Sequence, residues 1–259
     1  MKEKEGNKRK RKKFKNDSLK LIEWNHQIRR KTIARLLKKK KTVCTGYAYL
    51  LKEMCRYAGI QSKIVNGFSR TADTEYEDAP EPNHSWNVVL LNGKWYLCDP
   101  TWATGLFDPN TFKFDFEYQE GFFLGRPELF IKNHYPLDTQ WTLLGDQTPT
   151  FEDFLEGPLL YNAAFDYGII YQGVLKMNNT VSKKETIPFQ FDQLNPKEIE
   201  SVHLVVSGLR KDIRKEPQDL IIGKHSISFN YQFLHKGRYD LHLMLNNEAI
   251  MTYTFHVKK

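Results

Sequence analysis

Apolar residues recur at helical spacing after position 42: Val43, Tyr47, Leu50, Leu51, Met54 and Ala58 fall on one face, and Gly59 ends the run. Upstream, Leu19, Leu21, Ile22, Trp24, Ile28, Ile33, Leu36 and Leu37 suggest one or two amphipathic helices leading to a basic run at 38–41. Downstream the period changes to that of strands. A short strand is expected over 62–68, and two strand-like runs, 84–91 and 94–99, are joined by Asn92-Gly93, the strongest short hairpin signal. Beyond Trp102 the chain is aromatic and irregular to Phe116, helical over 126–133, and linker-like over 145–157. From Pro158 onward the pattern is β, with runs at 168–175, 187–191, 202–206, 226–233, 239–245 and 250–257 separated by turns, as in a sandwich.

The Asn-Gly turn sets a register. Opposed positions sum to 185, so 91 faces 94, 86 faces 99 and 84 faces 101. His84, Trp86, Val88 and Leu90 then share a face with Trp95, Leu97, Asp99 and Thr101. His84 and Asp99 become diagonal neighbours, about 7–8 Å apart by backbone and closer by side chain. Cys98 falls on the opposite face, which argues against it as a nucleophile. Cys44 occupies the first turn of its helix, where free N–H groups and the macrodipole favour a thiolate. Cysteine chemistry needs that thiolate, a base, and a third group that fixes the base's tautomer. Cys44, His84 and Asp99 supply these parts, provided the helix start meets the histidine face.

Composition narrows the class. With 259 residues, 40% hydrophobic and 14% aromatic, the chain suits two globular domains. No apolar run approaches the roughly 18 residues of a membrane span. The charged start has no apolar stretch after it, so no signal peptide is read and a cytoplasmic location is expected, or an extracytoplasmic one if the N-terminus is incomplete. Residues 1–41 hold 18 Lys and Arg against 4 acidic residues, a net of +14, so the rest of a chain at +8 carries −6. The basic character belongs to an arm, expected to be disordered over 1–17. Nucleic-acid binding is not expected, because no stacking aromatics or binding fold accompany the arm. The loop 69–83, with Asp73, Glu75, Glu77, Asp78 and Glu81, is solvated surface or a flap over the site that would favour basic or neutral substrates. Cys55 and Cys98 read as core residues and no disulfide framework is present. Cys44, Cys98, His84 and His134 lack paired-ligand spacing, and there is no calcium loop or glycine-rich phosphate loop, so no metal and no cofactor are expected. His134 reads as structural.

Three motifs carry a resemblance. Cys44-Thr-Gly-Tyr-Ala, Asn83-His84-Ser-Trp86-Asn87-Val, and Trp95-Tyr-Leu-Cys-Asp99-Pro100-Thr101-Trp102 resemble the catalytic motifs of the transglutaminase-like superfamily in order and spacing. The segment from Phe122 through Phe130, His134, Tyr135, Pro136 and Asp138 to Trp141 and Leu144 is similar to the stretch after the core in its kyphoscoliosis-peptidase-type branch. The resemblance implies an α+β fold: a papain-like transglutaminase core of helices and antiparallel sheet over 18–148, then an immunoglobulin-like β-sandwich over 158–259, where Tyr239 resembles a corner tyrosine. It implies Cys44 as nucleophile, His84 as general base and acid, and Asp99 as orienting group. The Cys44 backbone N–H and Gln27 are oxyanion candidates. Trp86 and Trp102 are candidates for a substrate groove, with core packing as their default. The implied chemistry is acyl transfer on peptide or protein amides through a thioacyl enzyme, resolved by water in a peptidase or amidase or by an amine in a transglutaminase; the resemblance favours hydrolysis. The competing class is an inactive scaffold whose groove binds a peptide and whose sandwich recruits protein partners.

Overall fold

The computed structural model describes residues 30–31, 33–39, 42–71, 81–108, 113–173, 175–195, 197–208 and 211–259. The basic arm, most of the lead-in with Gln27, and the acidic loop over 72–80 lie outside the described residues.

Helix α1 (Cys44–Tyr57) is followed by β1 (Gln61–Ser69), β2 (His84–Leu91) and β3 (Lys94–Cys98). Asn92 and Gly93 both adopt positive φ, 50° and 77°, the left-handed pair a two-residue hairpin turn requires. The ladder therefore runs Leu91–Lys94 to Asn87–Cys98 in the register that the turn dictates. It stops there, short of the expected 86–99 and 84–101 pairs. The Asp99 N–H instead donates to Phe122 O, and the Asp99 carboxylate captures the N–H groups of Thr101 and Trp102, which turns the chain away. After β4 (Gly105–Asp108) and β5 (Lys113–Phe116), a separate hairpin, come β6 (Phe123–Gly125), α2 (Pro127–Asn133) and β7 (His134–Pro136). The first sheet is antiparallel in the order β6-β3-β2-β1-β7.

Both faces of that sheet are covered. Helix α1 lies against β1 and β2, and Cys55, Val89 and Cys98 pack together between them with Leu51 and Ile60. On the other face Trp86, Val88, Leu97, Phe122 and Phe130 join an apolar cluster that continues without a break into the C-terminal part. The segment expected to be a linker helps join the two. Thr150 caps α3 (Phe151–Glu156) through a reciprocal capping box with Asp153, a signal present in the sequence as Thr-x-x-Asp. The Arg70 guanidinium donates to the carbonyls of Phe154 and Gly157. Strand β8 (Leu159–Leu160) and helix α4 (Asn162–Tyr167) follow, and the Phe165 ring of α4 packs tilted against Phe122, 4.5 Å between centroids.

The remaining strands are β9 (Ile169–Gln172), β10 (Asn178–Ser182), β11 (Ile187–Gln193), β12 (Val202–Ser207), β13 (Ile213–Lys215), β14 (Gln218–Ile222), β15 (Ser226–Tyr231), β16 (Gly237–Leu245) and β17 (Glu248–Lys258). They form one sheet ordered β10-β17-β16-β12-β13, with β8 also on β17, and a second ordered β14-β15-β11-β9. Inward aromatics close the space between them, with Phe189 5.6 Å from Tyr253 and 6.3 Å from Phe255. Strands β10, β13 and β14 were not legible as apolar runs. Each is an edge strand, and β13 and β14 are exposed along their whole length, so no buried face imposes alternation.

Candidate active site

The helix that carries Cys44 is fixed from its far side. Asn87, fully buried on β2, donates through Nδ2 to Ala48 O at 3.0 Å and to Lys63 O at 3.4 Å, tying α1 to the sheet. An apolar residue there would leave a buried helix carbonyl short of a donor. Thr42 folds over Gly46 so closely that a Cβ at Gly46 would lie 2.8 Å from the Thr42 Cβ, which sets how the chain enters the helix. These contacts bring the first turn to the start of β2, close enough for the His84 imidazole and the Ser85 N–H to act on the Cys44 sulfur electrostatically.

His84 uses its two ring nitrogens differently. Nε2 lies 2.6 Å from Asp99 Oδ2, which leaves Nδ1 for Cys44. Burial alone would discharge the ring, but the charge and hydrogen bond of Asp99, followed by those of Cys44, raise its pKa to about 9. Burial likewise opposes ionisation of Cys44. The hydrogen bond and charge of His84, with smaller help from the Ser85 N–H and Thr45, nevertheless hold that thiol below its ordinary value. Each group thus favours the charged form of the other, and Cys44 remains partly exposed.

Asp99 is fully buried, yet it is held well below the usual carboxylate range. Desolvation acts against this; the His84 charge and hydrogen bonds from His134 and His84 outweigh it. Its Oδ1 accepts from the Thr101 N–H at 2.8 Å and the Trp102 N–H at 3.3 Å. Its Oδ2 accepts from His84 and also from His134 Nε2, at 2.9 Å.

His134 is thus joined to the site, a contact the sequence reading missed. No local pattern marks it. It begins β7, two strands from β2 across β1, and shares a face with His84 only because Ser69 pairs His134 and Gly67 pairs His84. Gly67 makes the arrangement possible: a Cβ there would lie 2.6 Å from Trp86 Cη2 and 2.8 Å from Pro136 Cα, besides striking the Tyr135 carbonyl.

Trp86 is corrected as a groove residue. It has no exposed surface and packs against Phe130 and His134 at ring distances of 6.1 and 5.2 Å, because the sheet is covered on that face. Trp102 stays partly exposed, 5.9 Å from the His84 ring, and can line an approach to it. Gln27 lies outside the described residues. Cys98 sits beneath α1 on the face of the sheet opposite His84, its thiol pushed up to about 11 by burial.

His84, Asp99 and His134 also form one convergent set of possible metal-ligand atoms among the described residues, within 4.8 Å of one another. Two N–H donors on one carboxylate oxygen account for that spacing, and a cation there would strip His84 of its orienting bond.

The structure places a cysteine in a first helical turn, a histidine nearby and a buried aspartate bound to that histidine, and the comparisons bear on the class of the domain that holds them. The Transglutaminase-like superfamily model matches residues 3–100, and the chain carries a transglutaminase-like domain. That domain is related to the one in kyphoscoliosis peptidase of Mus musculus, 45% identical over 111 residues that make up 42% of this chain and 17% of that protein. Hillarin of Drosophila melanogaster is 28% identical over 168 residues, covering 59% of this chain and 20% of its own length. The chain therefore spans a fifth or less of the length of these relatives. Among solved structures, the I81 crystal structure from titin aligns at a TM-score of 0.22 and 19% identity, covering 35% of this chain and 97% of that one, a likeness that carries no weight here.

Proposed function

We propose that this protein catalyses cysteine-dependent acyl transfer on peptide or protein amides, with hydrolysis as the outcome. The observation that carries the reading is the position of His84 between two groups: its Nε2 binds Asp99 Oδ2 at 2.6 Å, and it faces Cys44, with which it stabilises opposite charges. The Cys44 thiolate adds to the amide carbonyl carbon, and the Cys44 backbone N–H at the open first turn of α1 faces the developing oxyanion. The His84 imidazolium gives its proton to the departing nitrogen, the C–N bond breaks, and a thioester remains. Water, deprotonated by the now neutral His84, adds to the thioester; the C–S bond breaks, a carboxylic acid leaves, and the ion pair is restored. An amine in place of water would make the product a new amide. Hydrolysis is favoured by the relationship to a protein named as a peptidase.

The C-terminal sheets support an immunoglobulin-like accessory domain. Their strand order, β9-β11-β15-β14 against β13-β12-β16-β17-β10, follows that sandwich, and Tyr239 near the start of β16 donates back to His235 O at 3.3 Å and Lys236 O at 3.4 Å like a corner tyrosine. Its role in this reading is to hold protein partners or substrates.

The test is the rate of iodoacetamide alkylation against pH in the wild type and in His84→Ala, with the modified cysteine identified by mass spectrometry. Reaction at Cys44 well below pH 8, lost without His84 and absent at Cys55 and Cys98, is expected. A peptide screen read by mass then separates new carboxyl ends from amine adducts. An ordinary Cys44 thiol, indifferent to His84, would overturn the catalytic reading in favour of a binding scaffold.

A further inference from the structure

Asp99 serves two histidines through one oxygen. His84 and His134 both present Nε2 to Oδ2, at 2.6 and 2.9 Å, while Oδ1 is already held by two backbone N–H groups. The catalytic scheme above uses only the first of these histidines. His134 is enclosed, with 1% of its surface exposed, in a cage of rings: Phe130 at 4.2 Å, Trp102 at 4.5 Å, Trp86 at 5.2 Å and Phe122 at 5.9 Å. Packing alone would be served as well by a phenylalanine. A polar ring in so apolar a cage costs free energy unless its hydrogen bond is made, and the bond it makes is to the carboxylate that orients His84.

We propose that His134 is a positioning residue that acts through Asp99: as a neutral imidazole with its proton on Nε2, it shares Oδ2 with His84 and so limits how tightly Asp99 holds the His84 proton. The inference rests on reading Cys44, His84 and Asp99 as nucleophile, base and orienting group. The titratable groups that face the two histidines are Asp99, from the end of β3, and Cys44, from α1; helix α2 adds the backbone carbonyl of Phe130, which also faces the His134 ring, and with the turns beside Asp99 it adds the rings of Phe130, Phe122 and Trp102. Asp99 carries one negative charge between them, and His84 is the ring that takes the balancing proton. A second imidazolium 5.3 Å from the first would repel it, so His134 serves as a dipole and not as a charge. Burial, which holds the His134 pKa down to about 4 against the pull of Asp99, agrees with that state. A neutral donor on Oδ2 draws electron density from the oxygen that binds His84. Its loss therefore leaves Asp99 a better acceptor and raises the His84 pKa, so the base releases its proton to the leaving group less readily.

The test is nitrogen NMR of the full chain labelled at histidine, with the His84 ring followed from pH 5 to 10 in the wild type, in His134→Phe, which fills the cage without a donor, and in His134→Gln, whose amide can donate. In the wild type His134 is expected to stay neutral with its proton on Nε2 across the range. His134→Phe should raise the His84 pKa by roughly half to one unit, the size of one neutral hydrogen bond, and His134→Gln should return most of that shift. A wild-type His134 that titrates near pH 6.5 or carries its proton on Nδ1 would overturn the proposal, even if the phenylalanine variant failed to fold. So would a folded His134→Phe with an unchanged His84 titration. None of these readings uses Cys44 reactivity, so the proposal and the catalytic reading can fail separately.

Discussion

Replacing Asp99 with asparagine changes no shape but removes a charge and exchanges an acceptor for a donor. Four N–H groups converge on this carboxylate, at 2.6 and 2.9 Å on Oδ2 and at 2.8 and 3.3 Å on Oδ1. An amide offers one oxygen and one NH2, so either the two histidines or the two backbone N–H groups must face a donor. Two buried donors without an acceptor, at about 1–3 kcal/mol each, give a loss of about 2–6 kcal/mol. The chemistry suffers in both orientations. If the amide oxygen faces His84, the ring keeps a bond but loses the charge that offsets its burial, and its pKa falls from about 9. If the NH2 faces His84, the ring turns to the tautomer protonated on Nδ1, which cannot take the Cys44 proton. Either way burial, which opposes ionisation of Cys44, is no longer outweighed by His84, and the thiol rises. An ordinary thiol with a pKa near 8.5 is only about 1% ionised at pH 6.5. Since a more basic thiolate is also more nucleophilic, alkylation at pH 6.5 should slow by about tenfold or more. Iodoacetamide kinetics on Cys44 and urea denaturation of the same variant measure the two effects. An Asp99→Asn protein within about 0.5 kcal/mol of wild type, with an unchanged alkylation profile, would refute the account of the site.

Other perturbations test the supports. Gly67→Ala places a methyl 2.6 Å from the Trp86 ring and should cost about 1–3 kcal/mol by urea denaturation, with slower Cys44 alkylation because His84 lies opposite on β2. Asn87→Ala frees the α1 anchor and should cost a similar 1–3 kcal/mol or so; a wild-type alkylation rate in that variant would show that the helix start is held elsewhere. His134 stays neutral in the fold down to about pH 4, whereas an unfolded imidazole protonates near 6.5. Between those values the unfolded state binds a proton that the native ring refuses, so this contribution falls as pH falls. The stability of the wild type relative to His134→Gln should therefore decline by up to about 3 kcal/mol from pH 7 to 4, as urea midpoints at each pH would show.

The local chemistry of the chain fixed a good deal. Asn92-Gly93 closed a hairpin in the register its turn type requires, a ladder that runs to Asn87–Cys98 and leaves His84 and Asp99 just beyond its end; the apolar period after Val43 put Cys44 in a first turn. Turn type and side-chain period act over a few residues, so they are readable along the chain, and the three motifs around them were enough to indicate the domain. The tertiary structure decided the rest. That Cys44 meets His84 depends on Asn87 gripping a helix carbonyl 39 residues away. That Trp86 is core and not groove comes from cover on both faces of the sheet, which no single strand's pattern distinguishes from cover on one. Strands β10, β13 and β14 exist because edges of other strands were available to pair. His134 reaches Asp99 because β7 joins β1 on the edge away from β2 and Gly67 leaves room between them. Strand order and the meeting of layers are settled by burial summed over the whole chain, and no residue's neighbours in sequence record that sum.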